Sequence, residues 1–243
     1  MKKILFILLS FNAAWTHAQD IDIEKLPKAK KLNWSGSIGA STSFYNTTGA
    51  EQHGNPFNWN INGNVNVNIL ETLDLPFSFV VGKYQSSFTK PYLQFGITPT
   101  YKWAKLHLGH RNLTFNPYTL AGHTFLGAGV ELTPKKFRFA AMYGRLRPAV
   151  EIDTTTNTVV IPSFKRKGFG AKVGYGDESN FIDLMYFQAK DDEGSIQNWQ
   201  DPKIQEQQGD ANALRPVENK VLGVSAKTTL WKKLVIVVDG GLS

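Results

Sequence analysis

The stretch that decides the fold is FNWNINGNVNVNIL, residues 57 to 70. Its odd-numbered positions are apolar apart from Gly63, whereas asparagine occupies every even-numbered position from Asn58 to Asn68. Alternation with period 2 predicts a β-strand with one apolar face and one polar face. The alternation is about twice as long as the usual strand of about 5 or 6 residues, and it satisfies the roughly 9 to 11 residues that an oblique strand needs to cross a bilayer.

The same design recurs along the chain. Residues 91 to 103, 164 to 176 and 221 to 230 also oppose an apolar parity to a polar or glycine-rich one, and weaker copies fill much of the remaining chain. Asp183 interrupts one of these copies, so no faces are assigned there. The sequence predicts eleven strands, at about 32 to 44, 57 to 70, 77 to 84, 91 to 103, 105 to 115, 123 to 133, 137 to 146, 164 to 176, 180 to 190, 221 to 230 and 234 to 242.

The connections between these strands alternate in length. Short turns are predicted at 71 to 76, 104 to 105, 133 to 136, 176 to 180 and 231 to 233. Longer connections are predicted at 45 to 56, 85 to 90, 116 to 122, 147 to 163 and 191 to 218. In an antiparallel meander, all the short turns then lie on one rim and all the long connections on the other.

The first 18 residues have the pattern of a secretory signal peptide. Lys2 and Lys3 precede an apolar run from Ile4 to Ala14, and Thr16-His17-Ala18 forms a small-residue cleavage site. The apolar run is too short for a transmembrane helix, which needs about 20 residues. We therefore expect an exported chain with a lead at 19 to 31.

Composition excludes several functional classes. The chain has no cysteine, which rules out disulfides, thiolate metal sites and a cysteine nucleophile. The net charge of +7 from 27 basic and 20 acidic residues is too small an excess to indicate a nucleic-acid partner. The pairing of many aromatic residues with 21 glycines is typical of strand-rich proteins.

The leader, the strand length, the alternation and the asymmetry of the connections together make the chain resemble the porin-like outer-membrane β-barrel proteins of Gram-negative bacteria. The resemblance covers residues 32 to 243. It implies an all-β fold, an antiparallel up-and-down transmembrane β-barrel, in the outer membrane. It also implies contact with outer-membrane lipid and insertion by the barrel-assembly machinery. Single-chain barrels of this family have even strand numbers, and the apolar run at 234 to 242 ends without a terminal aromatic, so we expect an N-terminal fragment.

Candidate functional residues lie on the polar parity of the predicted strands, which would face a barrel lumen. Two interpretations of the cations are open, because they could favour anionic solutes or pair with acids such as Glu131 and Asp183. The asparagines could line a polar channel or hydrogen-bond across a filled lumen. The candidate lumen-facing residues are Asn60, Asn62, Asn64, Asn66, Lys102, Arg111, Arg138, Lys172 and Lys227.

No catalytic, cofactor-binding or metal site is predicted. His107 and His110 are three residues apart on a strand, so their side chains point to opposite faces. Asp191, Asp192 and Glu193 are compatible either with calcium binding or with a solvated acidic loop. The sequence thus predicts a nonenzymatic outer-membrane protein, either a pore for small solutes or a structural barrel that anchors surface loops or a partner complex.

Overall fold

The computed structural model describes residues 32–44, 46, 57–83, 93–150, 162–200, 214–231 and 233–243. The predicted signal peptide at 1 to 18, the lead at 19 to 31 and the connection at 85 to 90 lie outside the described residues. The described part is all-β and forms one antiparallel sheet. Its one helical element is a 3-10 turn at Glu193–Ser195, and none of its residues form a helix long and apolar enough to cross a membrane.

The order of the strands in the sheet follows their order in the chain, except that the short β5 lies beside β3 and β6. Within the described residues, β1 pairs with β2 alone and β12 pairs with β11 alone. The strands are β1 (Leu32–Phe44), β2 (Phe57–Ile69), β3 (Leu73–Lys83), β4 (Leu93–Ile97), β5 (Thr100–Tyr101), β6 (Ala104–Asn112), β7 (Thr124–Leu132), β8 (Phe137–Arg147), β9 (Lys165–Gly176), β10 (Phe181–Asp192), β11 (Glu218–Leu230) and β12 (Leu234–Leu242).

Each of the eleven predicted strands is confirmed, with the segment 91 to 103 divided into β4 and β5. The predicted turn at 71 to 76 is wrong, because β3 already begins at Leu73. The chain reverses instead over Leu70 and Glu71, which adopt positive φ angles of 54° and 53°. Pro76 is tolerated within β3 although it has no N–H, and its carbonyl accepts a hydrogen bond from the Thr98 amide at 3.0 Å.

Strand pairing keeps side chains of one parity together across the whole sheet. Asn64, Arg111 and Lys172 lie on the same face, which also carries most of the buried side chains, and we call it the inner face. Asp183, whose strand had no predicted faces, lies on this inner face opposite Gly174 and Ser225. The alternation therefore continues through β10, with one charged residue on the buried side.

The sheet is strongly curled, with the inner face concave. Asn116 follows the end of β6 by four residues, yet its side-chain amide donates to the carbonyls of Val224 in β11 and Gly240 in β12 at 3.3 and 3.2 Å. In a flat sheet, β6 and β11 would be about 24 Å apart, since adjacent strands are separated by about 4.8 Å. Four extended residues span at most about 14 Å. Only a curled sheet brings these strands within reach.

The outer face is apolar over most of its height. Its large apolar side chains are exposed, with Tyr143 at 61% and Leu184 at 63%. Within the described strands, every charged outer-face residue lies near a strand end that leads to a long connection. Those whose side chains the structure describes form the rim belt: Arg145, Lys165, Lys167, Lys190, Asp192, Glu218 and Lys220.

The opposite rim consists of short turns. Between β9 and β10, the Asp177 side chain accepts hydrogen bonds from the amides of Asn180 and Ser179, both at 2.9 Å. These two backbone donors hold the pKa of the Asp177 carboxyl below its usual value, because they favour the charged form. A self-capped turn of this kind fixes the register of the β9–β10 hairpin.

Candidate functional site

Strand pairing places eight of the nine candidate residues on the inner face, namely Asn60, Asn62, Asn64, Asn66, Arg111, Arg138, Lys172 and Lys227. Lys102 lies instead in the turn between β5 and β6, with a positive φ of 51° and an exposed side chain. The predicted turn at 104 to 105 is thus displaced by two residues, because Ala104 and Lys105 already pair with Tyr101 and Thr100.

The asparagines of β2 form a polar strip on the inner face. The side-chain amide of Asn64 donates to the Ser37 hydroxyl of β1 at 3.0 Å. The side-chain amide of Asn62 donates to the side-chain oxygen of Asn60 at 3.2 Å. Asn62 and Asn64 are exposed. Together with the serines of β1 they give water a row of uncharged donors and acceptors, and we call this surface the asparagine strip.

A buried ion cluster holds β8, β9 and β10 together on the inner face. Arg138 donates two parallel hydrogen bonds to the Asp183 carboxylate, from Nε at 2.8 Å and from Nη2 at 3.0 Å. The Lys172 ammonium lies 3.9 Å from the same carboxylate. Asp183 is only 2% exposed. A desolvated carboxylate is stable only when it is paired. This geometry favours the paired-network interpretation of Arg138 and Lys172 over free selectivity cations.

The Arg111 side chain is also hydrogen-bonded to other strands of the sheet. Its guanidinium donates to the Ser78 hydroxyl at 2.6 Å, to the Pro76 carbonyl at 3.2 Å and to the Gly96 carbonyl. The side chain therefore ties β6 to β3 and β4, where the ladder between β4 and β6 is short. Four residues earlier in β6, the His107 ring lies 2.8 Å from the Glu131 carboxylate.

The inner face of β7 to β10 is filled by an apolar cluster that the sequence did not reveal. The connection 113 to 123, which we call the inserted segment, folds onto the sheet and contributes Leu113, Phe115 and Leu120 to this cluster. Gly170 leaves room for Phe115, since a Cβ there would lie 2.7 Å from the ring. The other members come from the strands and are Phe125, Ala140, Met142, Met185 and Phe187.

Asn116 fixes the inserted segment in place. Its side-chain oxygen accepts from the amides of Tyr118 and Thr119 at 3.0 and 2.9 Å and from the Thr119 hydroxyl at 2.7 Å. Its side-chain nitrogen reaches the strand carbonyls of Val224 and Gly240. All the hydrogen-bonding capacity of this buried amide is used, which is typical of a well-ordered buried polar group.

A second ion cluster lies on the sheet near the long connections. Arg166 binds Asp191 through Nε at 2.7 Å and Nη2 at 2.9 Å, while Lys165 and Lys167 approach Asp192 at 2.8 and 3.2 Å. Two of the three carboxylates that suggested calcium, those of Asp191 and Asp192, are therefore paired with cations. Among the described residues, no group of three or more metal-ligating side chains is close enough to hold a metal ion.

Comparison with models of known protein families found no match, and comparisons with characterised proteins and with solved structures found no similar chain.

Proposed function

We propose that the chain is an outer-membrane β-barrel protein of the Gram-negative type, exported by its signal peptide. The outer face carries this proposal, because its exposed apolar side chains form a continuous band that ends at the charged rim belt. An apolar surface of this extent is unfavourable in water and favourable against lipid acyl chains. The rim belt then lies at the level of the lipid headgroups.

We further propose that the barrel passes small polar solutes along the asparagine strip. Asn62 and Asn64 in the middle of the strip are exposed, and the strip lies on the half of the inner face that the apolar cluster does not fill. Its uncharged amides exchange hydrogen bonds with water at little cost, so they suit a passage for neutral or weakly charged solutes. The inserted segment narrows the space over the other half of the inner face.

A second candidate function is a structural barrel that presents its long connections to a partner complex. The apolar cluster beneath the inserted segment favours this candidate, since a filled interior stabilises a scaffold and blocks water. The two candidates share one fold and differ in whether the asparagine strip borders open water.

Planar-bilayer recording on the intact protein, refolded in detergent with any strands encoded after Ser243 included, tests the proposal. We expect stepwise ionic conductance, because an open polar strip admits hydrated ions. Resistance of the protein to protease in liposomes is measured alongside conductance, because it reports membrane insertion independently. Insertion without conductance would contradict solute passage and favour the scaffold. Failure of the protein to insert at all would contradict the outer-membrane assignment.

A further inference from the structure

A β-bulge near the end of β8 changes the face of one arginine. Arg145 pairs with Lys167 on β9, but Arg147 pairs with the very next residue, Arg166, so the register shifts by one between them. Simple alternation would leave Arg147 on the outer face with Arg145. The bulge instead brings Arg147 beside Arg166, which lies on the inner face. Bulges commonly reorient side chains next to functional sites.

Arg147 and Arg166 both lie beside the Asp191 carboxylate, but Arg166 lies much closer to it. Asp191 accepts both parallel hydrogen bonds from Arg166 and a third from the Val217 amide at 3.1 Å. Arg147 approaches Asp191 only to 3.9 Å, and its Nε is buried without a hydrogen-bond acceptor in the described part of the chain. Two guanidinium groups and one carboxylate leave one net positive charge, and it resides mainly on Arg147.

Arg147 and Arg166 form one end of a cavity of about 460 Å³ between the sheet and the inserted segment. Apolar side chains line much of the remaining wall, including Leu146, Phe187 and Val221, and Tyr118 closes the side formed by the inserted segment. A cavity of this volume is large enough for a small organic molecule. One cationic end and an apolar wall match a ligand with one anionic group and a compact apolar body.

We propose that this cavity binds small amphiphilic carboxylates, with the carboxylate on Arg147 and the apolar body against Leu146, Phe187 and Val221. The inference goes beyond the proposed function, because it concerns the cavity beneath the inserted segment and not the asparagine strip. A carboxylate fits better than a phosphate dianion, because a single charge neutralises the one spare cation. The planar guanidinium also matches the planar carboxylate fork.

The test measures binding of benzoate to the full-length chain in detergent by calorimetric titration. Benzamide is the neutral probe of nearly equal shape, and inorganic sulfate is the probe with charge but no apolar body. We expect benzoate to bind more tightly than either, and R147Q to weaken it about tenfold, as expected for loss of one charge-assisted contact. R147K should give an intermediate loss, since it retains the charge but not the fork.

R145Q is the matched control, because Arg145 lies two residues away on the outer face of the same strand. It should leave benzoate affinity unchanged. Equal losses in R145Q and R147Q, equal binding of benzamide, or sulfate binding as tight as benzoate binding would overturn the proposal. If R147Q does not fold, R147K and the benzamide comparison decide.

The binding measurement does not depend on conduction. A chain that binds benzoate but shows no conductance would support the site and contradict the passage. A conducting chain with no preference for benzoate would contradict the site alone.

Discussion

At the scale of single residues, Asn116 decides whether the inserted segment stays on the sheet. We expect Asn116→Asp to keep the three bonds that its side-chain oxygen accepts within the segment, while losing both bonds donated to β11 and β12. The new carboxylate would also face two carbonyl oxygens. The free energy of unfolding should fall by about 1 to 3 kcal/mol, the usual cost of leaving buried polar groups unpaired. Urea unfolding in liposomes measures it.

Asn116→Ala removes both sets of bonds. Comparing it with Asn116→Asp therefore shows how much the bonds inside the segment contribute to stability. If the attachment to β11 and β12 dominates, the two variants should lose similar stability. A fully stable Asn116→Asp would show that the bonds inside the segment are sufficient. This role of Asn116 could not be predicted, since Asn116 lies in a predicted loop and its strand partners follow it by more than one hundred residues.

At the scale of elements, β2, like β1 and β12, was predictable almost to the residue, whereas the start of β3 was not. Its alternation requires no information from the rest of the chain. The start of β3 was missed because Pro76 suggested a turn, although a proline carbonyl can still serve the ladder. Arg147 could not be assigned at all, since a bulge changes parity without any mark in the sequence.

The two faces of β2 give a direct test of the fold. Val65→Arg puts a charge into the apolar outer face near mid-strand, and Asn64→Arg puts the same side chain on the exposed inner strip. In a bilayer we expect Val65→Arg to lower the free energy of unfolding by about 2 to 4 kcal/mol, the cost of arginine near the midplane.

The Asn64→Arg variant is the control and should lose little stability, because its charge would remain in water. Urea unfolding of both variants in liposomes measures the difference. Equal losses would contradict the assignment of the two faces.

At the scale of the whole molecule, the sequence predicted the alternation of short turns and long connections but not what the connections do. Local sequence patterns indicate where turns occur and which side chains of a strand share a face. The curl of the sheet brings the inserted segment to β11 and β12. The ion clusters join residues of β8, β9 and β10, which strand pairing brings together. For this reason the pairing of Arg138 and Lys172 with Asp183 could be raised as an alternative from sequence but not chosen.

If the chain is an outer-membrane barrel, as we propose, its two rims predict its orientation in the membrane. In outer-membrane barrels the short turns are periplasmic and the long connections face outwards. The rim belt marks the rim of the long connections, since the charged side chains of the outer face are concentrated there. Because the chain has no cysteine, single cysteines report each rim without interference. We compare Gln197→Cys, after β10, with Glu178→Cys, in the β9–β10 turn; both positions are exposed.

A membrane-impermeant maleimide added to intact cells should label Gln197→Cys and leave Glu178→Cys unmodified, because the reagent does not cross the outer membrane. After the cells are broken, both variants should react at similar rates, which controls for local accessibility. The reverse labelling pattern in intact cells would invert the topology. Labelling of both positions before lysis would mean that the two rims are not separated by a membrane, and the outer face would then need another apolar partner to cover it.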